Sequence, residues 1–163
     1  MEEALIKEIN KEYIEAVKCY ENEIAKNDFS VLPDNYINLA FLYWSFAFEL
    51  FEFNIPNEII AEYSIVGGNK YQKILDLGLN YYPNNVELNF WRKYFQHIIY
   101  GEDFSKNDCR QLLAKYGDKE SKVPYFFLYL FDKERYIKQR NELLNSCDKM
   151  PTAKNIYIKS IIK

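Results

Sequence analysis

Asp34–Phe53, DNYINLAFLYWSFAFELFEF, decides the fold. Fourteen of its twenty positions are apolar or aromatic, and none is Lys or Arg. After Asp34 its only charges are Glu49 and Glu52. A helix apolar on nearly every side is covered by several neighbours, so this stretch reads as the central helix of an all-α domain. Its length would also suit a bilayer span. Asn38, Ser45, Glu49 and Glu52 interrupt it, however, and its aromatics are spread along it rather than gathered at its ends. A core helix is expected, with no membrane partner.

Helices are legible on both sides of it. Ile6, Ile9, Tyr13, Val17, Tyr20 and Ile24 recur at steps of three and four, which predicts one amphipathic helix over 2–26. Glu8, Lys11, Glu12, Glu15 and Lys18 take its other side. Asp34 is expected to cap the central helix. Asn54 and Pro56 end it and start a third helix carrying Ile59, Ile60, Tyr63 and Val66. Gly67-Gly68 should break that helix, at a cost of roughly 2 kcal/mol against alanine, with Asn69 capping a fourth. Asn85 caps a fifth, which Gly101 ends. Ser105 and Asp108 form a capping-box pattern with Asp in the Glu position, opening a helix that stops at Gly117. Pro124, Asp132 and Pro151 mark three more starts. About nine helices are expected, in one helical domain over residues 1–163.

That length suffices for a real core, and the 15 Tyr and 12 Phe supply large side chains to fill it. The formal net charge is -3, too small for bulk attraction to nucleic acid. It is unevenly spread. Residues 1–60 hold twelve acids and four bases, a balance of −8, which could steer a basic partner. Residues 61–163 hold twelve acids and seventeen bases, a balance of +5. Cys19, Cys109 and Cys147 are odd in number, widely spaced and outside any CxxC, so free thiols in a reducing compartment are expected. The opening MEEALIKEIN is not a secretory signal, and a cytoplasmic setting follows. The preference for Lys over Arg, with many Asn, Ile and Tyr, fits an A+T-rich bacterial genome.

Successive helical hairpins raise the question of repeats. The central helix reads Tyr36-x2-Leu39-Ala40-x2-Tyr43. This resembles the first-helix pattern of tetratricopeptide repeats, with Tyr for Trp and Ala for Gly. Ala16-x3-Tyr20 resembles the second-helix part, although the loop to Pro33 is longer than that family's. In 71–85, YQKILDLGLNYYPNN, Gly78 stands at a small-residue position and Pro83-Asn84-Asn85 resembles the family's turn. Phe90 and Trp91 then fall about one place out of register. The resemblance covers residues 10–100. It implies a stack of antiparallel helix pairs that binds peptides or proteins, and no chemistry. The subclass that grips a C-terminal carboxylate needs bases on this helix, and there are none.

No catalytic set, metal spacing or cofactor motif is evident. His97 is the only histidine. Val66-Gly67-Gly68-Asn69-Lys70 lacks the order of a phosphate loop. Glu49 and Glu52 would share a helix face, and with His97 they form the one candidate acid/base group. Trp91-Arg92-Lys93-Tyr94 mixes bases and aromatics as nucleic-acid sites do, and residues 135–163 are the most basic part of the chain. The expected function is non-enzymatic binding of another protein or peptide, with a basic one suited to the acidic first part. A bacterial toxin-neutralising immunity protein or an adaptor would fit. The alternatives are a helical enzyme using Glu49, Glu52 and His97, or a nucleic-acid-binding regulator. Candidate partner contacts are Tyr43, Glu49, Trp91, Arg92 and His97.

Overall fold

The structure is a computed structural model that describes residues 2–163. Helix accounts for 72% of the chain and no strand occurs among the described residues, so the fold is all-α. The helices are α1 (Glu3–Ile9), α2 (Tyr13–Ile24), α3 (Pro33–Phe48), α4 (Glu62–Tyr81), α5 (Val86–Tyr100), α6 (Lys106–Tyr116), α7 (Tyr125–Phe131), α8 (Ile137–Lys149) and α9 (Ala153–Ile162). A single π-helical turn, Leu50–Asn54, follows α3. None of these helices is long and apolar enough to cross a membrane. The chain forms two compact units. The first comprises residues up to Tyr81 with Thr152–Lys154, and the second Tyr82–Pro151 with Asn155–Lys163.

In the first unit α3 is the central helix. All twelve residues from Asn35 to Phe46 are buried, which is what its continuous apolar run requires. It packs against α2 and, most extensively, against α4. Pro33 occupies the first turn and Leu32 the cap position. Asp34 is therefore a first-turn acid, favourable to the helix dipole, rather than the cap.

Gly67 and Gly68 do not break a helix. Both lie inside α4, which runs unbroken from Glu62 to Tyr81. The propensity cost is offset by packing: a Cβ on Gly67 would overlap the backbone carbonyl oxygen of Tyr43 and approach Phe46 Cβ at 3.2 Å. The missing side chain is what lets α4 reach the backbone of α3.

The expected first helix is two helices. Lys11 adopts φ 63° and its N–H bonds Glu8 O at 2.9 Å, which closes α1 before α2 begins. A straight helix would leave Glu8 on the solvent side. The break turns α1 so that Ala4 and Glu8, four residues apart, face inward, while Ile6 is left exposed. Glu8 is thus a core residue.

The second unit follows its local signals closely. Asn85 Oδ1 accepts from the N–H groups of Glu87 and Leu88, and Gly101 closes α5 at φ 69°. Ser105 and Asp108 form a complete capping box. Asp132 does not cap α8. Its carboxylate accepts the Arg135 N–H at 3.1 Å within a turn, and α8 starts only after Tyr136. The core is aromatic: Phe90, Trp91, Tyr94, Phe95, Phe104, Phe126 and Phe127 are all buried. Phe104 stacks on Phe127 at 5.0 Å between centroids, and Phe90 meets Phe126 edge-on at 5.5 Å.

Candidate partner-binding surface

The end of the α3 sequence run behaves unlike its start. Within the π-helical turn and the residue after it, Phe53 and Asn54 are buried while Leu50, Phe51 and Ile55 point outward. Phe53 packs on Tyr13 at 4.6 Å and on Phe46 at 6.0 Å. Asn54 Nδ2 donates to Phe46 O at 2.7 Å and to Ser64 Oγ at 3.3 Å. Asn57 Nδ2 donates to Phe53 O at 2.7 Å. The backbone wraps through five-residue bonds, Asn54 N–H to Glu49 O and Ile55 N–H to Leu50 O, both at 3.0 Å. Single π-helical turns recur at functional sites. Here the turn is fixed from inside by Phe53 and Asn54 and shows its other side to solvent.

That other side is apolar. Between residues 48 and 65, Phe48, Leu50, Phe51, Ile55, Ile60 and Ile65 are exposed, Phe51 at 73% and Ile65 at 70%. Exposed apolar side chains concentrated in one segment are a mark of interaction surfaces. Glu49 lies among them, half-buried, as the residue that ends α3. Burial raises its pKa, and the neighbouring Glu52 raises it further. Glu49 thus gains more than an ordinary carboxylate from a cation brought alongside.

The other candidate contacts are placed differently. Tyr43 is 1% exposed and its ring belongs to the core. Its hydroxyl donates to Glu21, and Lys70 Nζ donates to Glu21 Oε1 at 2.7 Å while standing 5.4 Å from the Tyr43 ring. Burial alone would raise the Glu21 pKa, but the hydrogen bonds from Lys70 and Tyr43 outweigh it and hold the carboxyl below its usual range. This trio ties α2, α3 and α4 together.

Trp91, Arg92 and His97 lie on α5 in the second unit. Trp91 is 1% exposed and its indole N–H donates to Glu87 Oε1 at 3.0 Å, so its ring is packing. Arg92 is exposed. His97 is half-buried, with Nδ1 2.7 Å from Glu102 O beyond the end of α5. The five candidates are therefore divided between two units, and only Glu49 belongs to the apolar segment. The exposed apolar residues around it were not singled out in the sequence. The available signal was the run from Phe48 to Ile60, which keeps its apolar density after the helix that needs it has ended.

Chemistry elsewhere is sparse. No group of three or more His, Cys, Asp or Glu residues among the described residues is arranged to hold a metal ion. None of Cys19, Cys109 and Cys147 forms a disulfide. Burial pushes the Cys109 thiol up to about 12, and its Sγ sits 3.6 Å from Pro124 O, so it remains a protonated core group at neutral pH. No protein family, curated protein or solved structure matches the chain.

Proposed function

We propose that this chain is a non-enzymatic helical protein that binds another protein through the corner at residues 48–65. The observation that carries the reading is the set of six exposed apolar side chains at 48–65, three of which, Leu50, Phe51 and Ile55, are turned outward by a π-helical turn whose inner residues, Phe53 and Asn54, are locked against Tyr13 and Phe46. The carboxylates of Glu49 and Glu52 set the partner's chemistry: an apolar surface with a Lys or Arg at its edge. The balance of −8 over residues 1–60 would speed that encounter. The tetratricopeptide-like spacing of Tyr36, Leu39, Ala40 and Tyr43 points the same way. A sharper form is a bacterial immunity protein, acting in the cytoplasm, that neutralises a toxin by covering it.

The test compares Phe51→Asp and the double variant Glu49→Lys/Glu52→Lys with the wild-type chain, each used to recover partners from the producing cells. Both changes are on exposed or half-buried positions, so melting temperatures should move little. Phe51→Asp should weaken the complex about a hundredfold, as loss of a central apolar anchor does. The charge reversal should mainly slow association and remove its salt dependence. Equal recovery of the same partner by all three chains would remove the corner from the interface.

A further inference from the structure

The second unit contains a pocket that the reading above does not use. It has a volume of about 310 Å³ and is lined by Arg110 and Leu113 of α6, Tyr125 and Leu128 of α7, and Arg135, Tyr136 and Gln139 around the start of α8. Two guanidiniums serve it. Arg110 is half-buried, and its Nε donates to the Tyr136 hydroxyl at 3.0 Å while one terminal nitrogen donates to Asn107 at 3.3 Å. Arg135 stands over the face of the same tyrosine, 5.5 Å from the ring centroid. Tyr136 is buried and holds one cation at its edge and the other on its face.

Neither guanidinium has a carboxylate within salt-bridge reach among the described residues. Two acids of the same segment, Asp118 and Asp132, are engaged otherwise. Asp118 accepts from the Tyr125 hydroxyl at 2.9 Å and pairs with Lys122 at 2.8 Å. Asp132 is bound to the Arg135 backbone N–H. Each guanidinium still has terminal N–H groups to give, and guanidinium forks match the oxygens of phosphate. Gln139 also lines the pocket, and its amide oxygen is buried without a hydrogen-bond partner. A buried acceptor without a partner is open to a donor. A hydroxyl on a carbon next to the phosphate would supply its donor. Leu113 and Leu128 offer an apolar wall beyond. The volume is at the lower end of small-molecule sites.

The geometry points to a binding site for a small phosphate monoester, with Arg110 and Arg135 on the phosphate, Gln139 on a hydroxyl, and Leu113 and Leu128 against the carbon part. Calorimetric titration of the full chain with phenyl phosphate tests it, with inorganic phosphate and phosphatidylcholine vesicles carrying phosphatidic acid as parallel arms. Saturable binding of phenyl phosphate is expected, tighter than inorganic phosphate because of the apolar wall. Arg135→Gln, at an exposed position, should bind about tenfold more weakly with an unchanged melting temperature. Gln139→Leu should weaken glycerol phosphate more than phenyl phosphate, since only the former offers a hydroxyl. Absence of saturable binding, or equal binding by wild type and Arg135→Gln, overturns the assignment. Binding to the vesicles without binding of phenyl phosphate also overturns it, giving the pocket to a lipid headgroup instead.

Discussion

Gly67→Ala should destabilise the first unit by roughly 2–3 kcal/mol, although alanine is the better helix former by about 1 kcal/mol. The added Cβ meets backbone, the Tyr43 carbonyl, which cannot swing aside as a side chain would. α3 and α4 must move apart along the most extensive helix contact in the chain. The adjacent Gly68→Ala should have the opposite sign. Its Cβ would meet only Ala47 Cβ, at 3.9 Å, an ordinary contact, so the propensity gain of about 0.5–1 kcal/mol remains. Denaturant midpoints for the two variants should fall on either side of wild type. If both shift the same way, α4 does not approach α3 as described.

Glu8 carries the second large effect. Its carboxylate accepts from the Tyr20 hydroxyl at 2.6 Å and from the Ala153 N–H, at the first turn of α9, at 2.8 Å. Asn38 Nδ2 donates to the Tyr20 hydroxyl at 3.2 Å, which joins α3 to the same network. Glu8→Ala removes the acceptor from two buried donors and leaves a cavity, a loss of about 3 kcal/mol. The network also makes stability depend on pH. Burial is the main cause that lifts the Glu8 pKa from 4.5 to about 7, against the opposing hydrogen bonds from Tyr20 and Ala153 and the charge of Lys154. The folded protein therefore holds this proton more tightly than the unfolded chain. That contribution is fully present below pH 4.5 and is lost as pH rises through about 7. A shift of this size corresponds to about 3 kcal/mol. Glu8→Gln, which keeps the shape and never ionises, should flatten the slope of unfolding free energy across that interval. An undiminished slope in Glu8→Gln would place its origin elsewhere.

These two sites show where sequence reasoning succeeds and where it stops. Helix ends that depend on local chemistry were legible: Asn85, Gly101, the Ser105–Asp108 box and Pro124 all act within a few residues of themselves. The burial of α3 was legible because its apolar run leaves no face for water. Gly67 and Glu8 were misread for one reason. Each is decided by a partner distant in the chain, Tyr43 for Gly67, and Tyr20 and Ala153 for Glu8. Local propensity assigns a glycine pair to a break and a glutamate to solvent. Tertiary packing reverses both.

The candidate surface divides along the same line. Glu49 was legible as a carboxylate at the exit of an apolar helix. Tyr43 and Trp91 were singled out by size and position, yet large aromatics at helical spacing fill cores more often than they face partners, and both do so here. The outward turn of Leu50, Phe51 and Ile55 depends on the π-helical register, which no periodicity in the sequence announces.

Site-specific photocrosslinking in the producing cells tests the proposed function most directly. A photoreactive phenylalanine analogue placed at Phe51, and separately at Ile55, should yield one discrete protein adduct, the same from both positions and absent from a control at the exposed Lys119 of the second unit. The adduct should be lost when Glu49→Lys and Glu52→Lys are added. A discrete adduct from Lys119 with none from Phe51 or Ile55 would contradict the account and move the interface away from the corner at residues 48–65.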